Sequence, residues 1–311
     1  MKMFIVVLLA LPSLSWAWGK RGHQIVGESA ALVVASETNA NFMHSRSYDF
    51  GYYANVPDFI WKRPATYKIE KNEHFMDLEI FERAFASAKL DIDPLALSRK
   101  EFEEKFPDVK PEAGRAFWRV RELVQQIEGY SAQLRGLKPD APVTERHAVQ
   151  EKWLVAAGVL AHYIGDLAQP LHVSENYDGQ LSGQKGIHSY FEDDLVEQLY
   201  PELAVTTLRL AKDRWPEFKK QNANLSVLQL LKRLTKNSMQ DLNPLLALDK
   251  KTKREVNKKT AAKFQRIIEQ RLVDATLTLA EIYRRNLGWK FDGNRFYFFA
   301  GEPVYIHPGG L

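Results

Sequence analysis

Histidine and acidic residues recur at a spacing of four in two parts of the sequence. His162 and Asp166 lie within Leu154–Ala168, a largely apolar stretch, and His188 and Glu192 repeat the same spacing. Residues four apart project from one face of a helix, and ionisable side chains that become buried must be paired or bind a metal. The two pairs therefore predict either ion pairs in the core or metal ligands.

Further candidate ligands surround these pairs. Asp58 and His74 lie upstream of them, His23 lies near the N-terminus, and His172 follows Asp166 by six residues, just past a proline. The chain has no cysteine, which excludes thiolate ligands, disulfides and a cysteine nucleophile. Imidazole and carboxylate groups suit zinc, which takes about four ligands in a closed site. The candidates outnumber the ligands of one ion, so the sequence predicts a multinuclear zinc site.

The first seventeen residues have the pattern of a secretory signal. Lys2 precedes a short apolar run that ends near Leu11, and small residues stand at Ser15 and Ala17. The run is shorter than the roughly 20 apolar residues that span a bilayer, and we find no later segment that is long enough. We expect cleavage after Ala17, a mature N-terminus at Trp18, and export to a periplasm or to the outside of the cell.

The motifs together resemble the secreted three-zinc nucleases of the S1/P1 type, which are relatives of bacterial zinc-dependent phospholipase C. They occur in the order that this family has, and they are Trp18-Gly-x-x-Gly-His23, Pro-Asp58, His74-Phe75-x-Asp77, His162-x-x-x-Asp166-x-x-Gln-Pro-Leu-His172 and His188-x-x-x-Glu192. The resemblance implies a mostly α, single compact helical domain that hydrolyses phosphodiesters.

The same resemblance implies nine zinc ligands in three groups. The first ion would be held by Asp58, His74, His162 and Asp166, the second by His172, His188 and Glu192, and the third by His23, Asp166 and the amine and carbonyl of Trp18. The Trp18 nitrogen is an amine only after the signal peptide has been removed. Because a protonated amine cannot bind a metal, zinc binding there must release a proton.

The resemblance also implies a mechanism and a mode of substrate binding. A water that zinc ions share would attack phosphorus, because zinc lowers the pKa of bound water towards 7. Asp58 would orient or deprotonate this water. Phe75 would stack on a base and Asp77 would hydrogen-bond the edge of that base. A core position for Phe75 and a local cap or pair for Asp77 are the alternatives.

The sequence leaves the substrate open between two branches. The five-residue interval from Trp18 to His23 and the Phe75/Asp77 pair favour a nuclease or 3′-nucleotidase that acts on single-stranded nucleic acid or nucleotides. Glu192, where nucleases usually have Asp, and the short stretch 172–188 point to a phospholipase C that acts on phospholipid. A secreted zinc-binding protein without turnover is the alternative of another class. The sequence makes no prediction about oligomeric state.

Helical periodicity accounts for most of the elements that would position these residues. Of the 311 residues, 45% are hydrophobic and 26% charged, which is typical of a globular protein, and a net charge of +4 does not by itself indicate a nucleic-acid partner. Apolar residues three and four apart predict helices over 117–130, 145–168 and 264–282, with shorter ones at 24–36, 189–199 and 226–245.

The remaining segments predict the surroundings of the site. The domain boundaries are 1–17 for the signal, 18–290 for the helical domain and 291–311 for a short irregular or strand-like tail, whose best strand candidates are 296–300 and 304–306. The loop 176–186 is predicted to form a rim of the site. We expect Trp61 and Lys62 near that rim. The basic run 250–259 reads as a solvated linker or helix start, and contact with anionic substrate is its alternative.

Overall fold

Helices make up most of the chain in the computed structural model, which describes residues 18–37, 41–86, 88, 91–289 and 304–309. Within these residues there is no β-strand, only an isolated bridge between Met76 and Gly114. The mostly α fold class is therefore confirmed. The predicted signal peptide at 1–17 and the strand candidate at 296–300 lie outside the described residues, and residues 304–306 are irregular.

Thirteen α-helical segments are found in the described part of the chain. They are α1 Gly19–Ala35, α2 Asn41–Ser45, α3 Ser47–Tyr53, α4 Tyr67–Glu70, α5 Leu78–Ala86, α6 Arg99–Lys105, α7 Ala116–Gly136, α8 Val143–Ala168, α9 Ile187–Ser189, α10 Leu195–Leu199, α11 Glu202–Asn222, α12 Val227–Lys250 and α13 Lys258–Asn286. Short 3₁₀ turns form at Lys71–Glu73, Pro94–Ala96, Pro111–Ala113 and Pro170–Val173.

Helix α8 is the central element of the fold. It packs against α1, α3, α7, α12 and α13, and its side chains from Val159 to Ala168 are all buried. A helix that is apolar on every side is stable only when neighbours surround it. The mostly apolar composition of this stretch agrees with its complete burial. Helix α8 ends at Ala168 because Gln169 adopts an extended backbone conformation, which the following Pro170 favours.

Several helices differ from their predicted bounds. The stretch predicted as 189–199 consists of α9, a π-helical turn at Tyr190–Asp194 and α10. Helix α12 extends to Lys250 through Pro244, and α11, which contains Pro216, was not predicted at all. Packing against neighbouring helices outweighs the loss of one backbone hydrogen bond at each of these prolines.

Two π-helical turns lie next to the predicted ligands. One covers Pro57–Trp61 and contains Asp58, and the other covers Tyr190–Asp194 and contains Glu192. In the first, the Lys62 amide donates to the Pro57 carbonyl, 3.1 Å away, across one residue more than in an α-helix. Such turns are often found at functional sites because they change the direction of a few side chains.

Among the described residues, no helix is both long enough and apolar enough to cross a membrane.

Candidate metal centre

The end of α8 carries His162 and Asp166 into the interior. Both side chains have no exposed surface, and their Nε2 and Oδ2 atoms are 3.3 Å apart. Gly165, between them, leaves space for a neighbour, since a Cβ at this position would lie 2.9 Å from Nδ1 of His23 on α1. The spacing in the sequence thus gives a buried imidazole–carboxylate pair on α8, and α1 approaches this pair closely.

Four ligand atoms converge at this pair. His74 Nδ1 lies 2.8 Å from His162 Nε2 and 3.1 Å from Asp166 Oδ2, and Asp58 Oδ1 lies 3.7 Å from both ring nitrogens. Two ligands on a tetrahedral zinc at 2.0–2.1 Å would be about 3.3 Å apart. The separations in this group, from 2.8 to 3.7 Å, therefore match the edges of a zinc coordination tetrahedron.

A second group forms between the 3₁₀ turn after α8 and the segment from α9 into the following π-helical turn. His172 Nε2 and His188 Nε2 are 3.0 Å apart. Glu192 Oε2 lies 2.8 Å from His188 Nε2 and 3.6 Å from His172 Nε2. All three side chains are buried. This group has the donor atoms and the spacing for one further metal ion.

His23 brings a third set of donors to the other oxygen of Asp166. Its Nε2 lies 3.4 Å from Asp166 Oδ1, and its donor atoms lie within 4.8 Å of those of Asp58 and His162. Within the described residues, neither ring nitrogen of the fully buried His23 has a hydrogen-bond partner. Trp18 is buried at the start of α1, with its carbonyl 3.0 Å from the Gly22 amide.

Backbone carbonyls determine which nitrogen of each histidine can bind a metal. The Nδ1 atoms of His162, His172 and His188 lie 2.7–2.8 Å from the carbonyl oxygens of Ala54, His74 and Tyr177 respectively. A carbonyl only accepts, so each Nδ1 donates its proton and each Nε2 keeps a lone pair. In the second group the Nε2 atoms of His172 and His188 face each other at 3.0 Å, an arrangement that suits a cation between them.

Burial shifts the pKa values of His23 and of side chains in the first group. It lowers the pKa of His23, His74 and His162 well below the ordinary value, which favours the neutral imidazole that binds metals. Burial, with Asp58 nearby, raises the pKa of Asp166. A cation beside Asp166 would favour its ionised form.

In the second group the side chains shift the pKa values of one another. Burial lowers the pKa of His172. Burial is also the largest effect on His188, but the charge and hydrogen bond of Glu192, the Tyr177 carbonyl and Asp178 together outweigh it and raise the pKa of His188. The two histidines in turn outweigh the burial of Glu192 and lower its pKa to about 2. Glu192 is thus the anionic member of this group at neutral pH.

Three side chains support the ligands, and two of them, Gln169 and Glu70, were not assigned from the sequence. Gln169 donates from Nε2 to Glu192 Oε2 at 3.0 Å. Glu70 Oε1 lies 3.6 Å from the outer nitrogen of His74, Nε2, and it also accepts from the Tyr163 hydroxyl. Glu70 stands four residues before His74, a spacing that could have revealed it. Such partners orient the ligands of a metal site.

Lys62 is the third supporting side chain. Its Nζ lies 2.6 Å from Asp58 Oδ1, and its side chain is 15% exposed. Burial alone would lower the pKa of Lys62, but the attraction of Asp58 raises it overall. The expectation that Lys62 lies near the site agrees with this contact. Trp61, in contrast, is only 2% exposed and packs against Tyr305, so it is a core residue rather than part of a rim.

The two predicted substrate-binding residues lie directly beyond His74. Phe75 is partly exposed and is not a member of the hydrophobic core, so the core position considered for it is not observed. Asp77 is 6% exposed, and burial raises its pKa to about 7. No donor among the described residues reaches its buried Oδ1 atom.

The loop 176–186 contacts His188 of the centre through one backbone carbonyl and one side chain. The Tyr177 carbonyl accepts from His188, and Asp178 Oδ1 accepts from the amides of Gly186 and His188. The basic run 250–259 forms the end of α12, an exposed connection and the start of α13, as predicted for a linker.

Comparison of the sequence with models of known protein families gives a match. A sequence model described as S1/P1 nuclease matches residues 18–287, which is most of the chain. The search of curated proteins found no match.

Proposed function

The chain belongs to the S1/P1 nuclease family, and we propose that it is an exported, zinc-dependent nuclease and 3′-nucleotidase that cleaves single-stranded nucleic acid. The observation that carries this proposal is the convergence of buried donor atoms in two groups, around Asp166 and around Glu192, whose separations of 2.8–3.7 Å fit zinc. Family membership supports hydrolysis of phosphodiester bonds, and the metal chemistry and the substrate are inferred from the residues.

Three zinc ions would be held by the ligands that the sequence predicts. When bound, zinc supplies a water of lowered pKa and neutralises phosphate charge. The two oxygens of Asp166 face different donors, with Oδ2 towards His74 and His162 and Oδ1 towards His23. This orientation supports a carboxylate that bridges two ions, and the backbone carbonyls hold the ring nitrogens ready to bind.

Asp58 and Lys62 would act on the reacting groups. The carboxylate of Asp58 would orient the attacking water and accept its proton. The Lys62 ammonium, 2.6 Å from Asp58 Oδ1, holds this carboxylate in place and provides positive charge for a phosphate oxygen. No side-chain nucleophile is needed in such a reaction.

Phe75 and Asp77 would bind the base on one side of the cleaved bond. The partial exposure of Phe75 next to His74 supports a stacking role. The unpartnered Oδ1 of Asp77 supports an acceptor for the amino or imino groups of a base edge.

Export and activity would be linked through Trp18. The family match begins at Trp18, directly after the predicted signal peptide, which supports cleavage at this point. Trp18 lies buried at the start of α1, close to the side of Asp166 that faces His23. Cleavage would create the amine that completes the third group, so that the chain becomes fully active only outside the cytoplasm.

The first experiment compares substrates. Protein that begins at Trp18 and carries zinc is incubated with single-stranded DNA, RNA, a 3′-nucleotide and phosphatidylcholine, each with and without a chelator. We expect chelator-sensitive cleavage of the nucleic acids and of the nucleotide. Cleavage of phosphatidylcholine alone would replace the proposal by a phospholipase C, and bound zinc without any turnover would indicate a binding protein.

A second experiment tests Asp58. Asp58→Asn should lose at least ~100-fold in kcat, the range for a general base, while zinc is retained by His74, His162 and Asp166. Asp108→Asn, on an exposed side chain, is the control. Unchanged kcat in Asp58→Asn would refute the role of Asp58, and loss of zinc would make it a ligand only.

A further inference from the structure

Three strongly exposed aromatic side chains gather in one cleft. Tyr48 is 68% exposed, Tyr52 50% and Phe59 51%, and all three line a cavity of about 340 Å³ together with Lys20 and Asn55. Single exposed aromatics are ordinary on a protein surface, but a cluster of them is typical of a binding site. The volume lies within the range of small-ligand pockets, roughly 300–1,000 Å³.

The cleft and the metal centre are built from the same short segment, residues 52–59. The Ala54 carbonyl accepts from His162 Nδ1 at 2.8 Å, and Asp58 reaches the first group of ligands. Tyr52, before Ala54, and Phe59, after Asp58, both line the cleft. Consecutive Cα atoms are about 3.8 Å apart, so the Phe59 backbone lies one residue from that of Asp58.

The polar groups of the cleft suit a nucleotide. Asn55 Nδ2 donates to the Gly51 carbonyl at 3.0 Å, so the Oδ1 atom of the same amide points away from this carbonyl. No donor among the described residues reaches this buried Oδ1, which leaves one acceptor of a cleft-lining side chain unpartnered. The exposed Lys20 lines this cleft and provides positive charge there for a phosphate. It also borders a neighbouring depression that is lined by Arg21 and by the acidic residues Glu192, Asp193, Asp194 and Glu197.

We propose that the cleft formed by Tyr48, Tyr52, Asn55 and Phe59 is a second base-binding site, which stacks an unpaired base one or two nucleotides from the cleaved bond. This inference rests on the proposed function, because it assigns the substrate of the same centre. It differs from the Phe75/Asp77 pair in its residues and in the element that carries them. Stacking on aromatic rings selects single strands, since paired bases are not accessible.

The experiment compares cleavage of two single-stranded substrates. One is a hexadeoxyadenylate, and the other is the same oligonucleotide with an abasic site in place of the nucleotide that flanks the cleaved bond. Tyr52→Leu and Phe59→Leu should each lower the preference for the base-containing strand, measured as a ratio of kcat/KM, by about 5- to 160-fold. Phe59→Trp should keep it. Tyr67→Leu is the control, because Tyr67 is 39% exposed but does not line the cleft. A 2-aminopurine in the flanking position should be quenched less in the two leucine variants.

The outcomes separate this inference from the proposed function. If the unaltered protein cleaves no nucleic acid, the proposed function fails. If it cleaves but the leucine variants keep its preference and its quenching, only the base-binding cleft is refuted. Loss of binding to phosphatidylcholine vesicles in these variants, with the oligonucleotide preference intact, would make the cleft a membrane contact and overturn the inference. Zinc analysis of each variant shows whether residues 52–59 still support the centre.

Discussion

Asp77→Asn should stabilise the protein at neutral and alkaline pH. The carboxyl group has a pKa of about 7 in the folded chain, against an ordinary value of 3.8, chiefly because of burial and then because of Glu79 and Glu175. A difference of about 3 units corresponds to at most ~4 kcal/mol. Local relaxation and water penetration around the ionised carboxylate reduce this to about 1–2 kcal/mol. Asn preserves the shape of the side chain and can cap a helix as well as Asp.

The sign of the effect follows from proton binding. Below pH 4 the carboxyl is protonated in both the folded and the unfolded chain, so Asp77 contributes no penalty. Between pH 4 and pH 7 the folded chain keeps a proton that the unfolded chain has lost, so stability falls as the pH rises. Above pH 7 both states are ionised and the full penalty remains.

The assay is urea unfolding of the zinc-loaded protein, measured from pH 4 to pH 8. The free energy of unfolding of Asp77→Asn, relative to that of the unaltered protein, should rise by about 1–2 kcal/mol across this range. Asp108→Asn, which changes an exposed carboxyl, should show no such rise. A constant difference for Asp77→Asn, or a variant that is less stable at pH 8, would refute the reasoning. If Asp77 binds a base, the stabilised variant should also have a higher KM for single-stranded DNA.

Four further predictions concern the N-terminus, an exposed glycine of α7 and the C-terminal segment. Gly19 has φ +47° and a Cβ there would lie 1.8 Å from Asp193 Oδ1, so Gly19→Ala should lose a zinc ion and about 1–3 kcal/mol of stability. Gly129→Ala, with open space around the new Cβ, should gain up to ~1 kcal/mol in thermal unfolding and keep its zinc. Protein with extra residues before Trp18 should bind two zinc ions instead of three and lose most activity; three ions by metal analysis would contradict this. Tyr305→Phe removes the hydroxyl that donates to Glu70 Oε2 at 2.8 Å and should lower the free energy of unfolding in urea by about 1–3 kcal/mol, so an unchanged value would count against this contact.

The central helices were predictable because their pattern has one physical cause. The apolar stretch that ends at Ala168 requires neighbours on all sides, and a spacing of four placed His162 and Asp166 on the same side of α8, as observed. Helix α11 was missed because Pro216 argues against a helix locally, whereas the packing that outweighs it depends on the whole fold. The π-helical turn after α9 likewise has no periodicity that marks it in the sequence.

The convergence of the donor groups could not be derived from spacing alone. His74 and His162 are 88 residues apart and meet only through the packing of the turn after α4 on α8, so motif resemblance was the only guide to this pairing. The carbonyls of Ala54 and Tyr177, which fix two of the ring tautomers, have no side-chain signal at all. Whether these groups bind three zinc ions stays a prediction.

The position of Asp166 between two sets of donors has a consequence for how the centre would bind metal ions. One carboxylate faces two sets of donors, so an ion that binds on one side aligns and charges the oxygen that serves the other side. By thermodynamic linkage, each ion then raises the affinity for its neighbour by the same factor. We expect titration with a chelator to remove the two ions that share Asp166 in a single steep transition, whereas the ion of His172, His188 and Glu192 leaves separately. Under the proposed function, the shared carboxylate would couple the two binding sites.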